Sequence, residues 1–142
     1  MSKQKGARGE RQLVEWFDER GWYSQRTGGS GAGTSDARPD VIAMRPNEYG
    51  RSDVVVVEHK SHPDGSARFS KKEIHKLDEV AERSGGIALV VTRPDLRLKE
   101  HDHLYAMKTE DLKENKKSYT ITSSMLPTES LEEVIESAFG SK

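Results

Sequence analysis

The sequence predicts an α/β domain in which a mixed β-sheet is flanked by helices. The predicted elements follow the order helix, three strands, helix, strand, then further strands and a closing helix, and such interleaving is typical of α/β folds. Four consecutive valines, 54–57, indicate a strand covered on both faces. The segment SKKE at 70–73 is a capping box, which predicts that a helix starts there, before the next strand.

The first half of the chain is predicted to contain one helix and three strands. Residues 6–20 have apolar side chains at helical spacing, namely Leu13, Val14 and Phe17, and Gly21 follows as a helix stop. The three predicted strands are residues 22–27, 40–44 and 53–60.

The second half is predicted to begin with a helix from Ser70 to about Ser84, which stops at Gly85-Gly86. Its inward positions are Ile74, Leu77 and Ala81. The remaining predicted elements are strands at 87–92, 103–108 and 118–123 and a helix at 130–139.

The composition restricts the class of protein. The chain has 142 residues, 32% hydrophobic and 33% charged, with no cysteine and a net charge of −1 at pH 7. We therefore expect no disulfide framework, no thiolate zinc site and no strongly basic domain. No apolar run is long enough to span a membrane and the N-terminus lacks a signal-peptide core, so a cytoplasmic protein without a membrane partner is expected. The low fraction of apolar residues leaves a small hydrophobic core, which favours burial of one face of the domain against a second subunit.

Residues 28–38 form a glycine-rich segment, GGSGAGTSDAR, directly before Pro39 and Asp40. A phosphate-binding P-loop needs a lysine after its last glycine and then a helix, whereas Gly33 is followed by Thr34 and by a predicted strand. The dinucleotide fingerprint also fails, because its third glycine would fall at Thr34, and no nucleotide cofactor is expected. Glycines permit conformations closed to other residues, and we interpret the segment as a mobile loop over an active site.

Two carboxylates are predicted to meet at the ends of adjacent strands. Asp40 begins one strand and Glu58 lies near the end of the next, so antiparallel pairing brings them side by side. Such carboxylates repel each other unless a cation lies between them, and oxygen ligands favour Mg²⁺ or Mn²⁺. Lys60 lies on the same strand face as Glu58. There it can orient or help deprotonate a water, or stabilise the charge that develops on a phosphate. A surface salt-bridge cluster is the alternative that these residues leave open.

A third carboxylate, Glu10, is predicted on the buried side of the first helix. It begins the stripe Glu10, Leu13, Val14 and Phe17, whose spacing places all of them on one helix face. A buried carboxylate needs a partner, which a metal ion or its bound water would supply. A first-turn glutamate that is stabilised by the helix dipole is the alternative, although that role requires no inward orientation.

Several short segments together have the sequence and spacing of a known nuclease family. They are Lys5-Gly6, Glu10-Arg11, Leu13-Val14, Gly21-Trp22, Arg26, Gly29-Ser30, Pro39 to Ala43 and Glu58 to Ser61. In these segments, and more weakly in most of the rest, the chain resembles the archaeal-type (Hjc-like) Holliday junction resolvases of the PD-(D/E)xK nuclease superfamily. The resemblance implies a restriction-endonuclease-like fold and a single nuclease domain over residues 1–142.

The resemblance also implies Mg²⁺ as the cofactor, with Mn²⁺ able to substitute. Asp40, Glu58 and the backbone carbonyl of His59 would bind the metal, and Glu10 would act through metal-bound water. Lys60 would assist the nucleophilic water.

The substrate implied by the resemblance is four-way junction DNA, cut by a homodimer with paired, symmetric nicks. Ser30 would approach the scissile phosphate, and Arg11 and Arg26 would hold DNA phosphates nearby. We expect backbone contacts and junction shape to supply the affinity, with little reading of bases. Further candidates for phosphate contact are Lys5, Lys71 and Lys72.

Other side chains receive structural interpretations. His59 occupies a position that is commonly apolar in the family, and we interpret it as a core or interface histidine with satisfied partners. Phe69 is expected to pack below the second helix, with insertion into DNA as the alternative. Trp16 and Trp22 are expected in the core or at a dimer face, and His101-Asp102-His103 in a solvated loop.

Two other functions are weighed against junction resolution. One is a restriction- or repair-type nuclease of the same superfamily that acts on duplex or branched DNA. The other is a non-catalytic junction-binding protein. Asp40, Glu58 and Lys60 argue against the second, because a binding module has no use for clustered acids that repel each other.

Overall fold

The computed structural model describes residues 2–27, 39–61, 66–93, 104–125 and 129–140. Its helices and strands are α1 (Ser2–Glu19), β1 (Tyr23–Arg26), β2 (Val41–Pro46), β3 (Ser52–Ser61), β4 (Ala67–Ser70), α2 (Lys71–Ser84), β5 (Ile87–Arg93), β6 (Tyr105–Lys108), β7 (Lys113–Glu114), β8 (Ser118–Ile121) and α3 (Leu131–Phe139). The glycine-rich segment 28–38 and the predicted solvated loop at His101-Asp102-His103 lie outside the described residues.

The central feature is a mixed sheet of five strands in the order β1-β2-β3-β5-β6. Strands β3 and β5 run parallel, and the other neighbouring strands in this sheet are antiparallel. Helices α1 and α3 pack on one face of the sheet and α2 packs on the other. The predicted mixed sheet flanked by helices is confirmed.

Strand β3 is covered on both faces. Val55 and Val57 belong to the apolar cluster on the α1 side, whereas Val56 belongs to the cluster on the α2 side. All three are 0% exposed, because successive side chains of a strand point to opposite faces. The unbroken run of valines therefore reflects the central position of the strand.

Helix α2 begins and ends where the sequence predicts. The Ser70 hydroxyl accepts from the backbone N–H of Glu73, and the Glu73 carboxylate accepts from the N–H of Ser70. Gly85 closes the helix in the left-handed conformation, with φ of 74°. The predicted inward residues of this helix are buried: Ile74, Leu77 and Ala81. None of the helices in the described ranges is both long and apolar enough to span a membrane.

The sequence predictions miss a second, three-stranded sheet with the order β4-β8-β7. Strand β4 has four residues and β7 has two, and such short strands carry no reliable alternation of apolar and polar side chains. They exist because both pair with β8, and β8 itself ends at Ile121, two residues before the predicted end. At the other end of the chain, α1 begins at Ser2, four residues before its predicted start.

Candidate active site

Asp40 and Glu58 meet at one end of β2 and β3. The antiparallel register pairs Val41 with Val57, so the preceding residue Asp40 lies opposite Glu58. The backbone N–H of Asp40 donates to the Val57 carbonyl at 2.8 Å, and the N–H of His59 donates to Asp40 Oδ2 at 2.8 Å. The predicted side-by-side placement of the two carboxylates is confirmed.

The electrostatics of this pair disfavour two negative charges. Burial raises the pKa of Asp40 to about 7; the nearby Glu10 carboxylate raises it too, whereas the His59 N–H hydrogen bond lowers it. Burial also raises the pKa of Glu58 to about 9, with further repulsion from Asp40 and from Glu73. The Lys60 ammonium lowers both pKa values without offsetting the other causes. A cation bound between the carboxylates would favour their ionised forms.

Glu10 reaches this site from α1. Its Oε1 atom accepts a hydrogen bond from Arg26 Nε at 3.0 Å, and its carboxylate lies close enough to Asp40 to raise the pKa of that residue. The partner that the sequence required for an inward glutamate is therefore supplied in part by Arg26 on β1. The resemblance to the resolvases implied a contact between Arg26 and DNA phosphate, whereas in the structure its Nε donates to Glu10 within the site.

Lys60 follows Glu58 on β3 and extends toward the start of α2. Its Nζ atom lies 3.6 Å from Glu73 Oε2 and 5.5 Å from the centre of the Phe69 ring. Phe69 is 0% exposed, so the prediction that it packs in the core is confirmed and the alternative of DNA insertion is wrong. Sequence reasoning found Glu73 as a helix cap and missed its contact with Lys60, for which the local sequence carries no signal.

His59 points to the opposite face of β3, against α1. Its side chain is buried, and burial together with the nearby Arg93 charge lowers its pKa to about 4, so the ring is neutral at pH 7. The ring fills the space in front of Gly9, where a methyl group would lie 2.1 Å from His59 Cε1. Arg93, also buried, donates from Nη1 to Gln12 Oε1. The interpretation of His59 as a core residue is confirmed, whereas sequence reasoning missed Gly9, Gln12 and Arg93.

The other predicted site residues do not gather at the carboxylates within the described part of the chain. Arg11 and Lys72 are exposed on their helices. Lys71 instead pairs with Glu114 at 2.6 Å and lies 4.4 Å from the centre of the Tyr119 ring. Ser30 and the side chain of Lys5 lie outside the described residues. Trp16 and Trp22 are both buried in the core on the α1 side.

The ligands available for a metal ion are few. Across the residues described, no group of three or more histidine, aspartate or glutamate side chains is arranged to hold a metal ion. Two carboxylates, Asp40 and Glu58, are adjacent, and the His59 carbonyl belongs to the same strand end. This donor set consists of oxygen atoms, which suits a hard divalent cation with several water ligands.

Comparisons with known proteins agree with this architecture. A model of the family described as archaeal Holliday junction resolvase (Hjc) matches residues 1–142. The crossover junction endodeoxyribonuclease Hjc of Sulfolobus acidocaldarius is 34% identical over 86 residues, which are 60% of this chain and 57% of that protein. The match thus spans a little over half of that relative's length.

A solved structure gives the same result for the fold. Hjc from Archaeoglobus fulgidus, described as a Holliday junction resolvase from an archaeal hyperthermophile, matches with a TM-score of 0.71 at 23% identity. The match covers 97% of this chain and 98% of that one. The shared fold, together with the family match over the whole chain, shows that this chain belongs to the archaeal Holliday junction resolvase family.

Proposed function

We propose that this protein is an endonuclease that resolves four-way DNA junctions by paired, symmetric nicks. The observation that carries the proposal is the cluster of Asp40, Glu58 and Lys60 at one end of β2 and β3, in a chain whose full length matches the resolvase family. Family membership implies a divalent metal ion, and we propose Mg²⁺, with Mn²⁺ as a substitute, because the available ligands are oxygen atoms.

Asp40 and Glu58 fit such an ion. Burial raises both pKa values, and repulsion from a neighbouring carboxylate adds to each, from Glu10 for Asp40 and from Asp40 for Glu58. A bound divalent cation would offset these effects. In the proposed site these two side chains and the His59 carbonyl hold Mg²⁺, and Glu10 acts through an intervening water. When bound, the metal lowers the pKa of a water nucleophile and offsets charge on the phosphodiester.

Side chains and backbone groups of the chain itself orient the carboxylates and supply a positive charge beside the reacting phosphate. The His59 N–H holds Asp40 Oδ2 in one orientation, and Arg26 holds Glu10. Lys60 brings a positive charge to the same strand end, where it orients the nucleophilic water and stabilises charge that develops on the phosphate. We propose that Ser30, on the glycine-rich segment, approaches the scissile phosphate.

DNA contacts outside the reacting phosphate are proposed to come from exposed cations. Arg11 follows Glu10 on α1 and is exposed, so it can hold a phosphate beside the site, and Lys72 is exposed at the start of α2. Lys5 and Lys71 are further candidates, although Lys71 would have to exchange Glu114 for the phosphate. Such contacts carry no base information, which suits a substrate recognised by shape.

A direct test compares cleavage of a labelled four-way junction with cleavage of linear duplex of the same sequence, with and without Mg²⁺. We expect symmetric nicks in the junction alone, and only with the metal. Asp40→Asn and Glu58→Gln should each lower the cleavage rate roughly a thousandfold or more, because the metal contributes several kcal/mol, while junction binding persists.

Glu48→Gln provides a charge-matched control, because Glu48 is an exposed acid in the turn between β2 and β3, and it should cleave at the wild-type rate. Equal cutting of duplex would instead indicate a restriction- or repair-type nuclease. Tight junction binding without cutting would indicate a binding protein. Loss of binding in both active-site variants would point to misfolding.

A further inference from the structure

A basic groove lies on the outer face of the three-stranded sheet. It has a volume of about 460 Å³ and is lined by residues of β4, β7, β8 and the turn between β7 and β8. The register pairs Arg68 with Thr120 and Thr120 with Lys113, so one side chain from each strand stands in a row on the same face. The neighbours Phe69 and Tyr119 face the other way, toward the core with α2.

The lining of this groove carries one sign of charge. Its cations are Arg68, Lys113, Lys116 and Lys117, all exposed. Among the described residues that line the groove, none is acidic. None of the four forms an ion pair with another residue of the described ranges. The groove therefore presents a concentrated positive potential.

Glu114 does not cancel this charge, although it follows Lys113 in the sequence. Its carboxylate pairs with Lys71 at 2.6 Å, and Lys71 lies over the ring of Tyr119. Since Tyr119 and Thr120 point to opposite faces of β8, this ion pair lies on the face away from the groove. Each charge of the pair is offset by the other.

In this chain of net charge −1, the charged residues that line two other cavities are mostly acidic. A second cavity, beside α2 and β5, is lined by Asp78, Glu79, Glu82 and Glu110. A third, beside α3, is lined by Glu110, Asp111 and Glu129. Lys108 borders both of these cavities, but acids outnumber cations in each, so a polyanion would be repelled from these two and attracted to the basic groove.

The polar groups of the groove are those that bind phosphate oxygens. Ser118, Thr120 and Thr122 supply hydroxyls, and Asn115 donates from Nδ2 to Thr120 Oγ1 at 3.1 Å. Two strand spacings separate Arg68 from Lys113, roughly 10 Å between their backbones. An open, polar row of this length fits an extended sugar–phosphate backbone better than a small enclosed anion.

We propose that this groove binds the phosphate backbone of a duplex arm of the DNA substrate, as a second contact outside the cleavage site. The identification of the ligand as DNA rests on the proposed function. The groove and the active site are linked by β4, where Phe69 contacts Lys60 on the inner side and Arg68 faces the groove on the outer side. An arm that leaves the cleaved strand can therefore continue along the small sheet.

The test measures junction affinity over a range of salt concentrations, by fluorescence anisotropy in EDTA so that no cleavage occurs. The triple variant Lys113→Gln/Lys116→Gln/Lys117→Gln should bind roughly tenfold or more weakly at low salt. Each phosphate contact contributes about 0.9 to the slope of log K against log salt. The slope is negative, and its magnitude should therefore fall by roughly 2 to 3 in the triple variant and further when Arg68→Gln is added.

A charge-matched control removes three cations elsewhere, as Lys76→Gln/Arg83→Gln/Lys108→Gln. Lys76 and Arg83 pair with Glu79 on α2, and Lys108 borders the acidic cavities, so this variant should keep the wild-type slope. Equal losses in both triple variants, or wild-type affinity in the groove variant, would overturn the proposal.

Cleavage of the junction by the wild-type protein separates this inference from the proposed function. If the wild type cleaves the junction and the groove variant binds it unchanged, the groove proposal alone fails. If the wild type does not cleave, and the groove variant still loses affinity for the same DNA, the groove binds DNA and the proposed activity fails. If the wild type binds neither junction nor duplex, both are wrong.

Discussion

Gly9 on α1 faces the ring of His59 on β3, behind the carboxylate pair. A methyl group at Gly9 would lie 2.1 Å from His59 Cε1 and 2.8 Å from either ring nitrogen. Gly9 precedes Glu10 on α1, and His59 follows Glu58 on β3. The absence of a side chain at Gly9 therefore sets how closely α1 approaches β3, and with it the distance from Glu10 to Asp40.

We predict that Gly9→Ala lowers the rate of junction cleavage by roughly tenfold to a hundredfold, since small displacements of positioned groups have effects of this size. Overpacking should lower the free energy of unfolding by about 1–3 kcal/mol. The higher helix propensity of alanine should offset up to about 1 kcal/mol of this loss. Single-turnover cleavage and thermal unfolding measure the two effects separately.

Restoring the space should restore the rate. Because valine is smaller than histidine, Gly9→Ala/His59→Val should cleave faster than Gly9→Ala alone, even though His59→Val by itself leaves a cavity and lowers stability. A Gly9→Ala enzyme with the wild-type rate, or a double variant no faster than the single one, would show that this contact does not position Glu10.

At the scale of elements, the first turn of α2 links helix capping to the active site. Glu73 uses Oε1 to accept from the Ser70 N–H at 2.8 Å and places Oε2 3.6 Å from Lys60 Nζ. Both Lys60 and Glu73 are about one-third exposed, and a pair of this kind contributes little to stability. Its effect is to restrict where the Lys60 ammonium lies, while the cap fixes the position of the helix.

We predict that Ser70→Ala and Glu73→Gln separate these two roles. Ser70→Ala removes the hydroxyl cap and should lower the free energy of unfolding by about 1 kcal/mol, with the cleavage rate little changed. Glu73→Gln keeps an acceptor for the Ser70 N–H but removes the negative charge that pairs with Lys60, and should lower the single-turnover rate a few-fold at nearly unchanged stability.

Denaturant unfolding and single-turnover kinetics on both variants provide the measurement. If the rate losses of the two variants instead follow their stability losses, Glu73 acts only through the helix. A wild-type rate for Glu73→Gln would show that Lys60 needs no anchor.

At the scale of the molecule, the site lies where four elements converge: the N-terminal part of α1, the start of β2, the end of β3 and the start of α2. The described part of the chain carries one such site. Paired cuts on two strands related by two-fold symmetry require two sites in one assembly, and a two-fold dimer supplies them. Trp16 and Trp22 are buried within the chain, so both belong to the core rather than to an exposed face that a second subunit could cover.

We predict that the free protein is a dimer, so light scattering after gel filtration should give a mass twice the 15.9 kDa of the chain. The same mass should be found for Asp40→Asn, because Asp40 lies in the active site of each subunit and is not expected on a surface that joins the subunits. A mass of 15.9 kDa at micromolar concentration, with and without junction DNA, would contradict the proposed homodimer.

Much of this molecule follows from local sequence. The valine run determined that β3 is central, since only a strand covered on both faces buries Val55, Val56 and Val57 together. The capping box determined where α2 begins. The order of predicted strands already placed Asp40 beside Glu58, because antiparallel neighbours joined by a turn have a defined register. These features depend on residues that are close in sequence or on a regular period.

The tertiary structure alone decided the partners of those residues. Three contacts join positions that are distant in sequence and that neither the helical nor the strand repeat relates. They pair Arg26 with Glu10, Glu73 with Lys60, and Gly9 with His59. The small sheet, with the row of cations on its outer face, depends in the same way on pairing among strands too short to show a pattern. Contacts of this kind arise when helices and strands pack, and local residue preferences do not encode them.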